Sequence, residues 1–139
     1  INLTGSFLCA REIYDHMKSR SSGKIINIGS MTSIFGLDWA APYASSKGGI
    51  VQFTKTLAVS WAKDNIQVNT ILPGWIHTDL TQGVKDNYRA RYDHILSRIP
   101  DGRWGEPSDL AGTSVFLASS ASDYVTGISI PVDGGYTSF

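Results

Sequence analysis

Apolar positions near the start of the chain recur three and four residues apart, at Leu3, Phe7, Ala10, Tyr14 and Met17. That spacing gathers one stripe on a helix over about residues 2–20, closed by Ser21-Ser22-Gly23. The pattern then changes. Lys24 to Gly29 is a short β-branched run flanked by glycine, predicting a strand buried on both faces of a parallel sheet. A Ser-, Thr- and Gly-containing loop follows from Ser30 to about Pro42. From Tyr43 to Asp64 the helical period returns at Ile50, Phe53, Leu57 and Trp61. Gly48 and Gly49 would each weaken that helix by about 1 kcal/mol, so they mark a place where something approaches the backbone.

Ile66 to Leu72 reads as a second strand, stopped by Pro73-Gly74. A polar and aromatic stretch of weaker helical pattern between Thr78 and Ser97 then reads as an inserted lid at about residues 75–105. Pro107 is placed to open a helix carrying Leu110, Val115, Phe116 and Leu117 and ending at Ser119-Ser120. Ile128 to Val132 predicts a last strand, which Pro131 assigns to a sheet edge. Helices alternating with strands define an α/β fold with a parallel sheet covered on both faces. No repeat or linker divides it, so residues 1–139 form a single domain. The chain opens at Ile1, inside a helical pattern, and its first strand would lack a neighbour. We therefore expect a partial domain, continued upstream.

Composition narrows the function. Of 139 residues, 42% are hydrophobic and 17% charged, with twelve acidic residues balancing twelve lysines and arginines. Interspersed charge of zero sum offers no basic stripe, which argues against a nucleic-acid partner. No apolar run reaches the ~20 residues of a membrane helix, and no leader pattern opens the chain, so a cytoplasmic protein is expected. The single cysteine, Cys9, has apolar neighbours and reads as a packing residue. His16, His77 and His94 have no ligand spacing, so no metal is expected. Ser30 stands in Ile-Gly-Ser-Met-Thr, outside the Gly-x-Ser-x-Gly setting of a serine hydrolase.

Tyr43 and Lys47 lie four apart at a helix start, on one face. An ammonium beside a phenol favours phenolate and draws the tyrosine toward the range of a general acid/base, suited to protonating a carbonyl oxygen that receives hydride. Ser30 lies at the carboxyl end of the preceding strand, where ligands bind in open α/β sheets, and its hydroxyl can hold the same oxygen. The spacing is not sufficient by itself, because Tyr14 and Lys18 repeat it on the first helix. There the tyrosine belongs to the apolar stripe and the lysine extends outward. Trp39, Trp75, Tyr92 and Trp104 either pack or shape a polar pocket.

Asn27-Ile-Gly-Ser30, Pro42-Tyr-Ala-Ser-Ser-Lys47-Gly-Gly, Val68-Asn-Thr-Ile-Leu-Pro-Gly74 and Val132-Asp-Gly-Gly135 together resemble the short-chain dehydrogenase/reductase family, across essentially the whole chain. The resemblance implies a doubly wound, Rossmann-like sheet, NAD or NADP as cofactor, a small-molecule carbonyl or alcohol substrate, and a homo-oligomer, tetramer or dimer. It implies a catalytic set of Asn2, Ser30, Tyr43 and Lys47. Tyr43 is then the acid/base, Ser30 orients the substrate oxygen, Lys47 also binds the nicotinamide ribose, and Asn2 holds a water in a proton relay. The alternative for Asn2 is a plain helix cap.

The segment Pro73, Gly74, Trp75, Ile76, His77 and Thr78 is similar to the family's nicotinamide loop. Backbone at Ile76 would meet the carboxamide, and Thr78 the carboxamide or a phosphate, although Thr78-Asp79 also reads as an N-cap. Ile99 to Leu110 and Phe116 to Val125 are similar to the branch acting on sugar acids, which implies a keto-sugar acid. The family's N-terminal strands and Gly-rich phosphate turn are absent from this sequence, which leaves the C-terminal part of that fold. The competing expectation is a truncated, inactive scaffold kept for oligomer contacts.

Overall fold

The computed structural model describes residues 1–138. Three parallel strands, β1 (Gly23–Ile28), β2 (Ile66–Pro73) and β3 (Ser129–Val132), lie in the order β1-β2-β3. Ile25 pairs with Val68 and Ile71 with Ile130. β2 is central, and Ile66, Val68 and Ile71 are 0% exposed. All seven residues from Ile66 to Leu72 are buried, the polar Gln67, Asn69 and Thr70 included, as a strand covered on two faces requires. Pro131 falls in β3, which has no further neighbour among the described residues and so tolerates the lost N–H. The outer edge of β1 is likewise unpaired among the described residues.

Helices α1 (Asn2–Ser19) and α2 (Ala41–Trp61) cover one face, and α5 (Ala111–Ala118) packs on β1 and β2. Ala58 of α2 joins Ile66 and Val68 in a core to which Tyr14, Met17, Ile25, Leu57 and Trp61 contribute. Only part of the predicted α1 stripe is covered. Ala10 is buried, whereas Leu3 and Phe7 stay partly in solvent against Gly49 and Phe53 of α2. A side chain at Gly49 would stand 3.0 Å from Leu3, so this glycine admits the neighbouring helix. Gly48 has open space around it and no such duty.

Several boundaries differ from the sequence reading. α2 starts at Ala41, ahead of Tyr43, because Pro42 fits a first turn where its missing N–H is not needed. The segment read as a lid holds two helices, α3 (Asp79–Asn87) and α4 (Arg89–Ser97), broken at Tyr88, whose φ of −136° and ψ of 57° are not helical. Pro107 opens a 3₁₀ turn, Pro107–Leu110, before α5 begins. The Asp109 carboxylate closes that turn by accepting from the Glu106 N–H at 2.7 Å. Cys9, read as packed, is exposed among the described residues, where it lines a cleft beside the outer edge of β1.

Below the site, a buried polar chain fastens α2 to the sheet. Asn27 Nδ2 donates to Thr54 Oγ1 at 2.8 Å, and Thr70 Oγ1 donates to the same oxygen at 2.8 Å. Satisfied buried hydrogen bonds of this kind fix position as well as contribute stability. At the carboxyl ends of the strands, the Gly74 N–H donates to the Val132 carbonyl at 3.0 Å. A Cβ on Gly74 would fall 2.7 Å from the Asp133 Cα, so the two loops meet backbone to backbone.

Candidate active site

β1 delivers Ser30 to the carboxyl rim of the sheet, nearly buried, as the cap of a 3₁₀ turn at Met31–Ser33. The Thr32 N–H donates to Ser30 Oγ at 3.1 Å. One lone pair of the hydroxyl is thus committed, and its proton remains free for another acceptor. α2 delivers Tyr43 and Lys47 one turn apart. Tyr43 is 41% exposed, and the Lys47 Nζ stands 5.8 Å from the centre of its ring. Nζ donates to the Ile28 carbonyl at 2.8 Å, and burial pushes the ammonium below the usual lysine pKa.

Asn2 occupies the first turn of α1. Its Nδ2 reaches Ser46 Oγ at 3.4 Å, and Ser46 in turn donates to the Tyr43 carbonyl at 2.7 Å. Asn2, Lys47, Asn27 and Ile28 line one cleft of about 440 Å³ beside the free edge of β1. All four predicted catalytic residues therefore lie on α2 or connect to it by short paths. Tyr43 and Lys47 are part of the helix, Asn2 connects through Ser46, and Ser30 through Ser33.

Pro73 closes β2 opposite Val132, and Gly74 follows. Ile76 is buried and forms a parallel bridge with Gly105, with the Gly105 N–H on the Trp75 carbonyl and the His77 N–H on the Gly105 carbonyl. The Ile76 carbonyl accepts from Thr81 Oγ1 at 2.6 Å. Its N–H has no partner among the described residues, a free donor suited to a carboxamide oxygen. Thr78 occupies the N-cap position of α3, and its N–H donates to Thr81 Oγ1 at 3.0 Å.

The aromatic residues divide. Trp104 is buried with Met31, Ile95, Ile99 and Tyr136, and it stacks on Tyr92 at 4.7 Å, on His77 at 5.4 Å and near Trp75 at 5.2 Å. These rings fasten the lid to the loop after β2. Trp39 is exposed on the loop before α2, with the Arg91 guanidinium of α4 5.0 Å above its ring. Sequence reasoning missed Ser33 and the role of Ser46. The Ser30-x-x-Ser33 spacing of a capping box was the available signal for the first. Among the described residues, no three His, Cys, Asp or Glu side chains group as metal ligands. No helix among them is long and apolar enough to cross a membrane.

A strand-end serine beside a Tyr-x-x-x-Lys helix at the carboxyl rim of a parallel sheet agrees with comparison against known proteins. The family model described as enoyl-(acyl carrier protein) reductase matches residues 1–137, and the chain belongs to the short-chain dehydrogenase/reductase family. Over 137 residues it is 47% identical to the 2-dehydro-3-deoxy-D-gluconate 5-dehydrogenase of Escherichia coli K12, covering 98% of this chain and 54% of that protein. The enzyme of the same name from Formosa agariphila is 42% identical over 135 residues, 97% of this chain and 51% of its own. The gluconate 5-dehydrogenase of Burkholderia cenocepacia, solved with NADP and tartrate, superposes with a TM-score of 0.97 at 42% identity. That match covers 100% of this chain and 54% of the solved one. The chain spans about half the length of the curated relatives it matches.

Proposed function

We propose that these residues form the catalytic part of an NAD- or NADP-dependent oxidoreductase that interconverts a carbonyl and an alcohol, with a keto-sugar acid as substrate. The observation that carries the reading is the placement of Lys47 against the Tyr43 ring beside a strand-end Ser30 whose proton is free. When bound, the nicotinamide supplies or accepts the hydride. Tyr43 Oη gives its proton to the carbonyl oxygen in reduction and takes it from the alcohol in oxidation. Ser30 Oγ donates to that oxygen and fixes its direction. The Lys47 ammonium stabilises negative charge as it develops on the phenolic oxygen. Asn2 holds the water through which the proton is replaced.

The residues fit the nicotinamide end of a dinucleotide. Lys47 is a donor for ribose hydroxyls, the free Ile76 N–H is a donor for the carboxamide, and Pro73, Gly74 and Thr78 complete the loop. Nothing here forms a Gly-rich phosphate turn, so the phosphates need residues outside this sequence. Residues 1–139 then act as one partial domain with its lid at 75–105. The names of the relatives support the sugar-acid substrate. The half-exposed apolar face of Leu3 and Phe7 supports a homo-oligomer, tetramer or dimer, and in this reading the enzyme works in the cytoplasm. Tyr43→Phe in the native enzyme tests the assignment. Turnover of a keto-sugar acid should disappear while dinucleotide binding stays, and retained turnover would remove Tyr43 from its role.

A further inference from the structure

We infer that Ser33 is a positioning residue that sets Ser30 and Lys47 in register with one another. A serine hydroxyl has one proton to give and lone pairs to receive with, and Ser33 uses both on the site. Its Oγ donates to the Lys47 carbonyl at 2.8 Å and accepts the Ser30 N–H at 3.2 Å. The Ser33 N–H returns to the Ser30 carbonyl at 2.9 Å. One side chain thus joins the end of β1 to the turn of α2 that carries the lysine, and holds the backbone on either side of the Ser30 hydroxyl.

The surroundings explain why the reach must be that of a serine. Gly29, just before Ser30, admits no side chain. A Cβ there would sit 2.5 Å from the Leu72 side chain and 3.2 Å from Ser33 Oγ. The chain can therefore turn tightly under the hydroxyl. Alanine at position 33 leaves the Ser30 N–H without its acceptor and the Lys47 carbonyl without its second donor, and the remaining link between the end of β1 and this turn is the flexible Lys47 side chain on the Ile28 carbonyl. The lower part of α2 stays pinned through Thr54, so the loosening is confined to the turn at the site.

The inference rests on the proposed roles of Ser30, Tyr43 and Lys47, and the experiment separates the two. In the native enzyme, Ser33→Ala should lower kcat about tenfold, since small misplacements at a reacting centre are expensive. KM and dinucleotide affinity should hold, with one dinucleotide bound per chain, which excludes an unfolded fraction. Ser33→Thr, which keeps the hydroxyl, should restore most of kcat. Thr126→Val removes the acceptor of the Val68 N–H far from the site, and should lower the melting temperature without the kcat loss. If Ser33→Ala does not fold, Ser33→Cys, a weaker donor, should give an intermediate kcat. Wild-type kcat in either variant, with Tyr43→Phe inactive, overturns the role of Ser33 alone. An active Tyr43→Phe overturns the reading beneath it.

Discussion

Two tyrosine–lysine pairs of identical spacing sit in this chain, on adjacent helices of the same face, and their environments are opposite. Tyr14 stacks on Trp61 at 4.6 Å and donates to Asp64 at 2.8 Å, so its hydroxyl is spent on holding α1 to the end of α2. Lys18 lies 5.4 Å over that ring, and its partnership with Tyr14, helped by Asp64, raises the lysine above its usual pKa. Tyr43 keeps its hydroxyl without a protein partner among the described residues, and Lys47 is drawn inward to the Ile28 carbonyl. Burial lowers that lysine. On the proposed reading, what separates the reactive pair from the structural one is whether the phenol is already satisfied.

The comparison breaks first at turnover. Tyr43→Phe in the native enzyme should cost on the order of 10³-fold in kcat, while Tyr14→Phe should leave kcat within a factor of two. Equal losses would erase the distinction. Lys47→Met should cost about 10²-fold and weaken dinucleotide binding, measured by titration, whereas Lys18→Met should do neither. Stability reverses the order. Tyr14→Phe removes the bond to Asp64 and should cost about 1 kcal/mol in chemical denaturation, with Tyr43→Phe close to neutral.

The smallest effect is a difference of sign above neutral pH. Lys18 has a folded pKa above 10.5, so its contribution is complete below that value and is lost as pH rises through the folded one. Lys47 has a folded pKa below 10.5, so the stability linked to it is present above 10.5 and is lost as pH falls through the folded value. Denaturation midpoints followed across the alkaline range should thus respond oppositely to Lys18→Met and Lys47→Met. A common direction would show that the two lysines are not differently placed.

Much of the fold was legible because period and burial agreed. Ile66 to Leu72 reads as a strand and is one, and Pro131 marks an edge as its missing N–H requires, whereas β1, read from Lys24 to Gly29 as buried on both faces, is mostly half-buried. Tyr43, Lys47 and Ser30 were identifiable from their order around a strand end. Cys9, read as packed, is exposed among the described residues, because the apolar cleft it lines with Ala10 and Ile13 lies beside the outer edge of β1. The break of the lid at Tyr88 was hidden because an ordinary tyrosine carries no turn chemistry to announce it. The capping-box spacing could have flagged Ser33 beside Ser30, but its reach to Lys47, fourteen positions away, is a relation that local spacing does not encode.

The contact between Gly74 and Asp133 has a bearing on how such chains can be altered over time. Two segments far apart in the gene share one crowded point, with no room for a side chain on the first while the second keeps its path. A recombination that imported the loop after β2 from a relative bearing any other residue at 74 would damage the C-terminal turn it never touched in sequence. Lineages and engineers who exchange the segment of α3 and α4 should find their viable crossovers after Gly74, with that glycine and the closing Asp133-Gly134-Gly135 inherited together.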